Sequence, residues 1–226
     1  MAQHRIVRTI LRPDAATIAG LASIATATAH EAQGRCGFVG PDFRPIQQDR
    51  RIVGAAVTVS CHPGDNLMIH AAVEVCQPGD VLVVTNTAPS THGMFGELLA
   101  TSLMARGVSG LIIDAGVRDT AELREIDFPV WSRHVSCQGT VKASPGSVNV
   151  AVVLGGVVVN PGDVVIADDD GVVVIERDRA AAVLHSSIER ESKEAATRAR
   201  LASGELGIDI YGLRPLLASL GVEYVD

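Results

Sequence analysis

The sequence predicts an α/β sandwich whose strands are covered on both faces. Three observations carry that prediction. Apolar runs such as Ile52–Cys61 (IVGAAVTVSC) are nearly continuous, as strands buried on both sides require. Such runs interleave with helix-like segments early in the chain and pair around tight turns later. Hydrophobic residues make up 47% of the 226 positions while aromatics are only 3%, so the core is Val, Ala, Ile, Leu and Gly. That apolar content offsets the entropy of ordering and rules out disorder. No linker-like stretch divides the chain. One domain is expected over 1–226, with about 179–226 as a helical extension.

Each element has a local reason. Pro13-Asp14 is a helix-start signal and opens an Ala-rich helix running to about His30. Gly34 to Pro45 is a loop by composition. Ile52 to Cys61 is a β-branched strand, 62–66 a turn, and Leu67 to Cys76 a short helix. Val81 to Thr85 is a strand, and Asn86 to Phe95 a polar loop. Gly96 to Arg106 has helical spacing, ended by Gly107. Leu111 to Asp114 is a strand, and 115–119 turns into a helix reaching Glu125. Val130 to Ser132, Val148 to Leu154 and Val157 to Val159 are strands. Val164 to Ala167 and Val172 to Ile175 form a hairpin around Asp168-Asp169-Asp170-Gly171. A long polar helix spans about 179–203, and a last short one lies near 213–220. Pro-Gly-Asp recurs at 63–65, 78–80 and 161–163; this is turn chemistry, with Asp bonding the backbone ahead.

Charge excludes some functions. The formal net charge is −7, and no basic run occurs. With few aromatics as well, a nucleic-acid surface has no support. No stretch of about 18 apolar residues appears, and 1–20 does not read as a signal peptide, so a cytoplasmic protein without a membrane span is expected. Cysteines 36, 61, 76 and 137 form no C-x-x-C pair and are expected as reduced core residues. Walker A, G-x-G-x-x-G, G-x-S-x-G and H-E-x-x-H patterns are all missing.

The densest candidate for chemistry runs from Gly96 to Asp119. Gly96-Glu97 starts a helix whose first N–H groups, near Leu98 and Leu99, are free to bind a carboxylate. A strand then ends beside Arg118 and Asp119, the place where α/β sheets bind ligands. Arg118 suits a carboxylate or a developing enolate, and Asp119 suits Mg²⁺. The bland alternative has Asp119 capping a helix and Arg118 pairing with it. The acids at 168–170 resemble a cation site, although a solvated turn explains them. Ser90-Thr91-His92-Gly93 is weakly similar to phosphohistidine loops.

These residues resemble a known family. The stretches HEAQGR (30–35), PGDNLMIHAAVEVCQPGDVLVV (63–84), FGELLATSLMARGVSGLIIDAGVRDT (95–120), NPGDVVIADDDGVVVI (160–175) and ARLASGELGIDIYGLR (199–214) are similar to class II pyruvate aldolases. Those enzymes cleave 4-hydroxy-4-methyl-2-oxoglutarate and 4-carboxy-4-hydroxy-2-oxoadipate, and belong with the RraA regulators of ribonuclease E. The core pattern is common to the whole group, whereas E-L-G-I-D-I-Y-G points to the aldolase branch. The resemblance implies an α-β-β-α sandwich like the swivelling phosphohistidine domain. It implies trimers, often hexamers as dimers of trimers, with sites between subunits. Mg²⁺ or Mn²⁺ would sit on Asp119. Glu97, with Glu31 and Glu194 of a neighbouring subunit, would hold the metal's waters. Arg118 would bind pyruvate, the N–H groups of Leu98 and Leu99 beside Gly96 its carboxylate, and Asn66 and His70 would line the pocket. Many relatives carry Asp where this chain has Glu97. The implied activity is metal-dependent retro-aldol cleavage of these oxo acids in aromatic-acid (protocatechuate or gallate) catabolism, with oxaloacetate decarboxylation as a side reaction. The two Lys residues, 142 and 193, are no obvious Schiff-base nucleophiles. An RraA-type regulator acting by contact is the alternative, and a phosphohistidine transfer domain using His92 is a third.

Overall fold

The computed structural model describes residues 4–226. Its elements are, in order, α1 (Ala15–Leu21), α2 (Thr26–Ala32), β1 (Arg44–Pro45), β2 (Ile52–Cys61), α3 (Leu67–Val73), β3 (Val81–Asn86), β4 (Gly93–Phe95), α4 (Glu97–Met104), β5 (Gly110–Val117), α5 (Thr120–Glu125) and β6 (Val130–Val135). There follow β7 (Ser147–Val148), β8 (Val152–Leu154), β9 (Val157–Val159), β10 (Val164–Asp168), β11 (Gly171–Ile175), α6 (Ala180–Ala202), α7 (Gly207–Ile210) and α8 (Arg214–Ser219). The main sheet runs β1-β6-β5-β3-β2-β10-β11, with β4 beside β5 and β7 beside β2. The β2, β3, β5 and β6 pairings are parallel, while β10 pairs antiparallel with both β2 and β11.

The continuous apolar strands are explained by three stacked cores. Leu82, Val84, Leu111 and Ile113 face a core closed by α3, α4 and α5. Their neighbours Val81, Val83 and Ile112 face a second core shared with Val165, Ala167, Val172 and Val174. Val164, Ile166, Val173 and Ile175 then point outward to a third core beneath α1, α2 and α6. Alternate residues therefore leave each strand in opposite directions, and both sets are buried. The layers read helix, sheet, sheet, helix, and the sheet curls around the second core without its edge strands pairing. Trp131, fully buried there, donates its indole N–H across that core to the Asp168 carbonyl at 2.9 Å.

Several local expectations need correction. The helix expected from 13 to His30 is broken after Leu21. Asp14 caps α1 by accepting from the Thr17 N–H, as its position suggests, but the chain re-enters at Thr26. There the buried Asp168 carboxylate accepts from both the Thr26 N–H and its hydroxyl, which sets the break. Strand β5 continues through Ala115-Gly116-Val117, read from sequence as a turn, because Gly116 and Val117 pair with β6. The loop 86–95 ends in strand β4. The strand expected over 148–154 is interrupted at Asn149, whose φ is +56°. Cys61 and Cys76 are core residues, their thiols pushed up to about 12 by burial, but Cys36 and Cys137 are exposed.

The acids at 168–170 do not converge on one point. Asp168 is buried and bound to Thr26, while Asp169 accepts from the Asp49 N–H. A solvated turn is therefore wrong for Asp168. The three Pro-Gly-Asp acids, Asp65, Asp80 and Asp163, are likewise buried. Only Asp65 bonds the backbone immediately ahead, at Leu67. Asp80 and Asp163 accept from the N–H three residues behind, at Gln77 and Asn160. Pro and Gly turn the chain back on itself, so the orphan N–H lies behind the carboxylate.

Candidate active site

The parallel strands end on one side of the sheet, and β5 delivers Arg118 and Asp119 there. Asp119 sits in the left-handed region at φ 54°, ψ 42°, at the N-terminus of α5. This conformation is uncommon for a residue with a side chain, and it marks a constrained turn. The Arg118 N–H donates to the Phe95 carbonyl at 2.9 Å, so the turn is stitched to the start of α4. Gly96 makes that approach possible. A Cβ there would stand 2.3 Å from Asp119 Oδ2. Gly93 is needed for the same reason, because its Cβ would meet the Ser136 carbonyl at 2.2 Å.

Around this junction lies a cavity of about 80 Å³. Asn66, His70, Gly96, Leu98, Leu99, Arg118 and Asp119 all border it. Seven residues singled out from sequence, drawn from three separate segments, are thus brought together. The first turn of α4 faces it. The Glu97 N–H donates to Asp119 Oδ2 at 3.3 Å, and the next two N–H groups, on Leu98 and Leu99, have no acceptor within the helix. Arg118 Nε lies 3.6 Å from Asp119 Oδ2, the contact that the bland reading anticipated. Both side chains are nonetheless half-exposed, and Asp119 Oδ1 accepts no hydrogen bond among the described residues. Glu97 extends from the same helix and accepts from the Thr101 hydroxyl at 2.8 Å.

On the far wall Asn66 is buried, while His70 and Lys142 keep exposed surface. Asn66 donates from Nδ2 to the Met94 carbonyl at 3.0 Å, leaving its buried Oδ1 without a partner. Burial, with the charge of Lys142 nearby, lowers the pKa of His70, so its imidazole is neutral at pH 7. Lys142 itself borders the cavity, which sequence reasoning missed. No signal along the sequence places it there; the contact that does is made by the buried Asp65. Its carboxylate accepts from the N–H groups of Ala143 and Ser144 and so ties the Lys142 segment to the α3 turn.

Glu31 and Glu194 do not border this cavity within the chain. They lie on α2 and α6, where Arg190 reaches Glu31 Oε2 at 3.7 Å and Glu194 Oε1 at 2.8 Å. Arg35 also pairs with Glu31 and holds it below its ordinary pKa. A larger cavity, about 630 Å³, is bordered by Asn86, Ser90, His92, Asp114, Arg133 and His134. It is the weaker candidate for anion chemistry. Its arginine is already held by Asp114 at 2.6 Å and Asp42 at 2.8 Å, and it lies over the Phe43 ring.

The residues fit a divalent cation of one kind. Among the described residues no group of three or more His, Cys, Asp or Glu side chains is assembled around a point. One open carboxylate, Asp119, suits a hard ion that keeps most of its waters, as Mg²⁺ does.

Comparison with known proteins identifies the family. The family model described as "RraA-like: Aldolase/RraA" matches residues 21–174. A protein of Halalkalibacterium halodurans named "Putative 4-hydroxy-4-methyl-2-oxoglutarate aldolase" is 28% identical over 169 residues, covering 75% of this chain and 80% of its own. The crystal structure of Streptomyces coelicolor RraAS2, titled an unusual member of the RNase ES inhibitor RraA protein family, has a TM-score of 0.76. It is 30% identical and covers 84% of this chain and 99% of its own. A Geobacillus kaustophilus structure titled S-adenosylmethionine:2-dimethylmenaquinone methyltransferase has a TM-score of 0.62 at 31% identity, covering 69% and 96%. The three printed names describe three different activities, while the two solved structures have the same fold as this chain. The chain belongs to the RraA-like family.

Proposed function

We propose that the protein is a divalent-metal-dependent pyruvate aldolase that cleaves 4-carboxy-4-hydroxy-2-oxoadipate, 4-hydroxy-4-methyl-2-oxoglutarate, or both. The observation that carries this reading is the convergence of Arg118, Asp119 and the free Leu98 and Leu99 N–H groups on one small cavity. Retro-aldol cleavage breaks the bond between C3 and C4 and leaves negative charge on the pyruvyl oxygen. A bound Mg²⁺ or Mn²⁺ supplies Lewis-acid stabilisation of that charge. The helix N–H groups orient the pyruvyl carboxylate. Arg118 places a fixed positive charge beside the developing enolate. The unpartnered Asn66 Oδ1 is an acceptor for the C4 hydroxyl. Glu97, with the partner subunit's Glu31 and the partner subunit's Glu194, holds the water that takes the hydroxyl proton. The site is then completed between subunits of a homo-trimer or hexamer. Oxaloacetate decarboxylation passes through the same enolate and is a secondary activity.

The test is pyruvate release from each substrate, with and without EDTA, by wild type, Arg118→Ala and Asp119→Asn. Loss of one preorganised donor should lower kcat of Arg118→Ala by roughly 10²–10³-fold. EDTA and Asp119→Asn should each abolish turnover. Activity that survives EDTA and both substitutions sinks the reading. The second reading, an RraA-type regulator, is favoured by the similarity to the Streptomyces protein. It predicts no pyruvate release and instead inhibition of a ribonuclease that Arg118→Ala leaves intact.

A further inference from the structure

The cavity beside Asn66 and His70 is small for the proposed substrates. Its volume is about 80 Å³, whereas small-molecule sites begin near ~300 Å³. It suits the three-carbon pyruvyl end and leaves the rest of a six- or seven-carbon oxo acid outside. Arg118 and Asp119 also border a second cavity, of about 340 Å³. Its other walls are Thr120, Val135, Ser136 and Cys137. Strand β6 brings this wall to the site, because Val135 pairs in register with Val117, the residue before Arg118. The Ser136 N–H donates to the Val117 carbonyl at 2.9 Å and holds the wall against the end of β5.

The chemistry of this second cavity matches the other half of the substrate. Arg118 supplies a half-exposed guanidinium. The Ser136 hydroxyl oxygen accepts from the Gln138 N–H at 3.2 Å. Neither its proton nor that of the Thr120 hydroxyl has an acceptor among the described residues, so both are free to donate to a carboxylate. Val135, 64% exposed, offers apolar surface to a carbon chain. Cys137 is exposed and completes the wall. A few donors beside an apolar patch orient a carbon chain that ends in a carboxylate. We infer that the 340 Å³ cavity receives the distal, carboxylate-bearing half of a 2-oxo diacid, and that Val135 and Cys137 set the length of substrate accepted. This placement rests on the aldolase reading and puts Arg118 at the junction between the pyruvyl end and the distal carboxylate. A short acid such as pyruvate fills the first cavity alone.

The test reads binding and turnover separately. In a Cys36→Ser background Cys137 is the one exposed thiol, because Cys61 and Cys76 are buried. Its alkylation by iodoacetamide is followed with Mg²⁺ present. 2-Oxoglutarate carries a distal carboxylate and, lacking the C4 hydroxyl, is not cleaved. It should slow the alkylation of Cys137 tenfold or more, while pyruvate changes it less than twofold. Equal effects of the two acids overturn the proposal. So does a Cys137 that reacts no faster than Cys61 without ligand, since the cavity is then covered. Turnover is the second arm. Cys137→Phe narrows the cavity and should lower kcat/KM for 4-hydroxy-4-methyl-2-oxoglutarate tenfold or more relative to that for oxaloacetate. An unchanged ratio overturns the proposal as well. Turnover without selective protection removes the cavity's role and leaves the aldolase reading standing. Selective protection without turnover of either acid keeps the cavity's role and removes the aldolase reading.

Discussion

At Gly96 the absence of a side chain is what lets the α4 N-terminus and Asp119 share one point. Alanine there places a methyl carbon 2.3 Å from Asp119 Oδ2 and 3.2 Å from Arg118 Cγ. The half-exposed carboxylate can swing away, so the fold survives while the site loses its geometry. Gly96→Ala should lower kcat for pyruvate release by roughly 10²-fold, the size expected for a 1 Å misplacement. Its unfolding midpoint should stay within a few degrees of wild type. His70 offers a second check. Burial and Lys142 disfavour its charged form, so NMR should place its titration midpoint below 6.5. The sign follows by linkage. The unfolded chain binds this proton more readily, so the stability that neutral His70 confers is intact above 6.5 and fades as pH falls below it. A midpoint at or above 6.5 contradicts the described surroundings. Cys61 and Cys76, buried with thiols raised to about 12, should resist alkylation until the protein unfolds.

At the scale of elements, the Pro-Gly-Asp turns act as anchors. Asp65 is the most connected of them. It accepts from the N–H groups of Leu67, Ala143 and Ser144 and so fixes the α3 turn to the segment carrying Lys142. Burial pushes its pKa up, but these donors more than offset that, and the net shift is downward. Its stabilising effect is therefore complete above the ordinary carboxylate range and lost as pH falls through the lowered folded value. Asp65→Ala removes the acceptor of three partly buried N–H groups and should cost about 1–3 kcal/mol in urea unfolding. The KM for the oxo acid should rise as well, because the Lys142 side of the cavity is freed. A stability loss below about 0.5 kcal/mol, the level of an ordinary surface change, would remove Asp65 from this role. The turn chemistry was legible in the sequence. Its partner, 78 residues away, was not, because a carboxylate's acceptors are filled by whatever backbone the fold brings past it.

For the molecule as a whole, the single Trp gives a direct report. Trp131 is fully buried in the second core and bonded to the Asp168 carbonyl. Its emission should be blue-shifted in the native state and move red in one step with loss of that core. A red-shifted native spectrum would place it in water and contradict the buried second core. No helix among the described residues is long and apolar enough to cross a membrane, as the hydropathy of the sequence indicated. Charge is distributed so that acids pair with arginines over much of the surface, while the cavity keeps one open carboxylate beside one arginine.

The sequence by itself determined the α/β class, the long central strands, the α4 helix and the Gly96–Asp119 segment. These rest on local chemistry: β-branched runs, glycine stops, and free N–H groups at a helix start. Five of the residues it singled out, Gly96, Leu98, Leu99, Arg118 and Asp119, meet at one cavity because the motif spans consecutive strand and helix ends, and Asn66 and His70 join them from α3. Only the tertiary structure decided the break between α1 and α2, since Asp168 reaches Thr26 across 142 residues. It alone brought Lys142 to the cavity and Glu31 and Glu194 to a common Arg190. It alone showed that no residue beyond Ser187 is buried. These depend on which distant segments pack together, and periodicity along a chain records which face is apolar without recording what covers it.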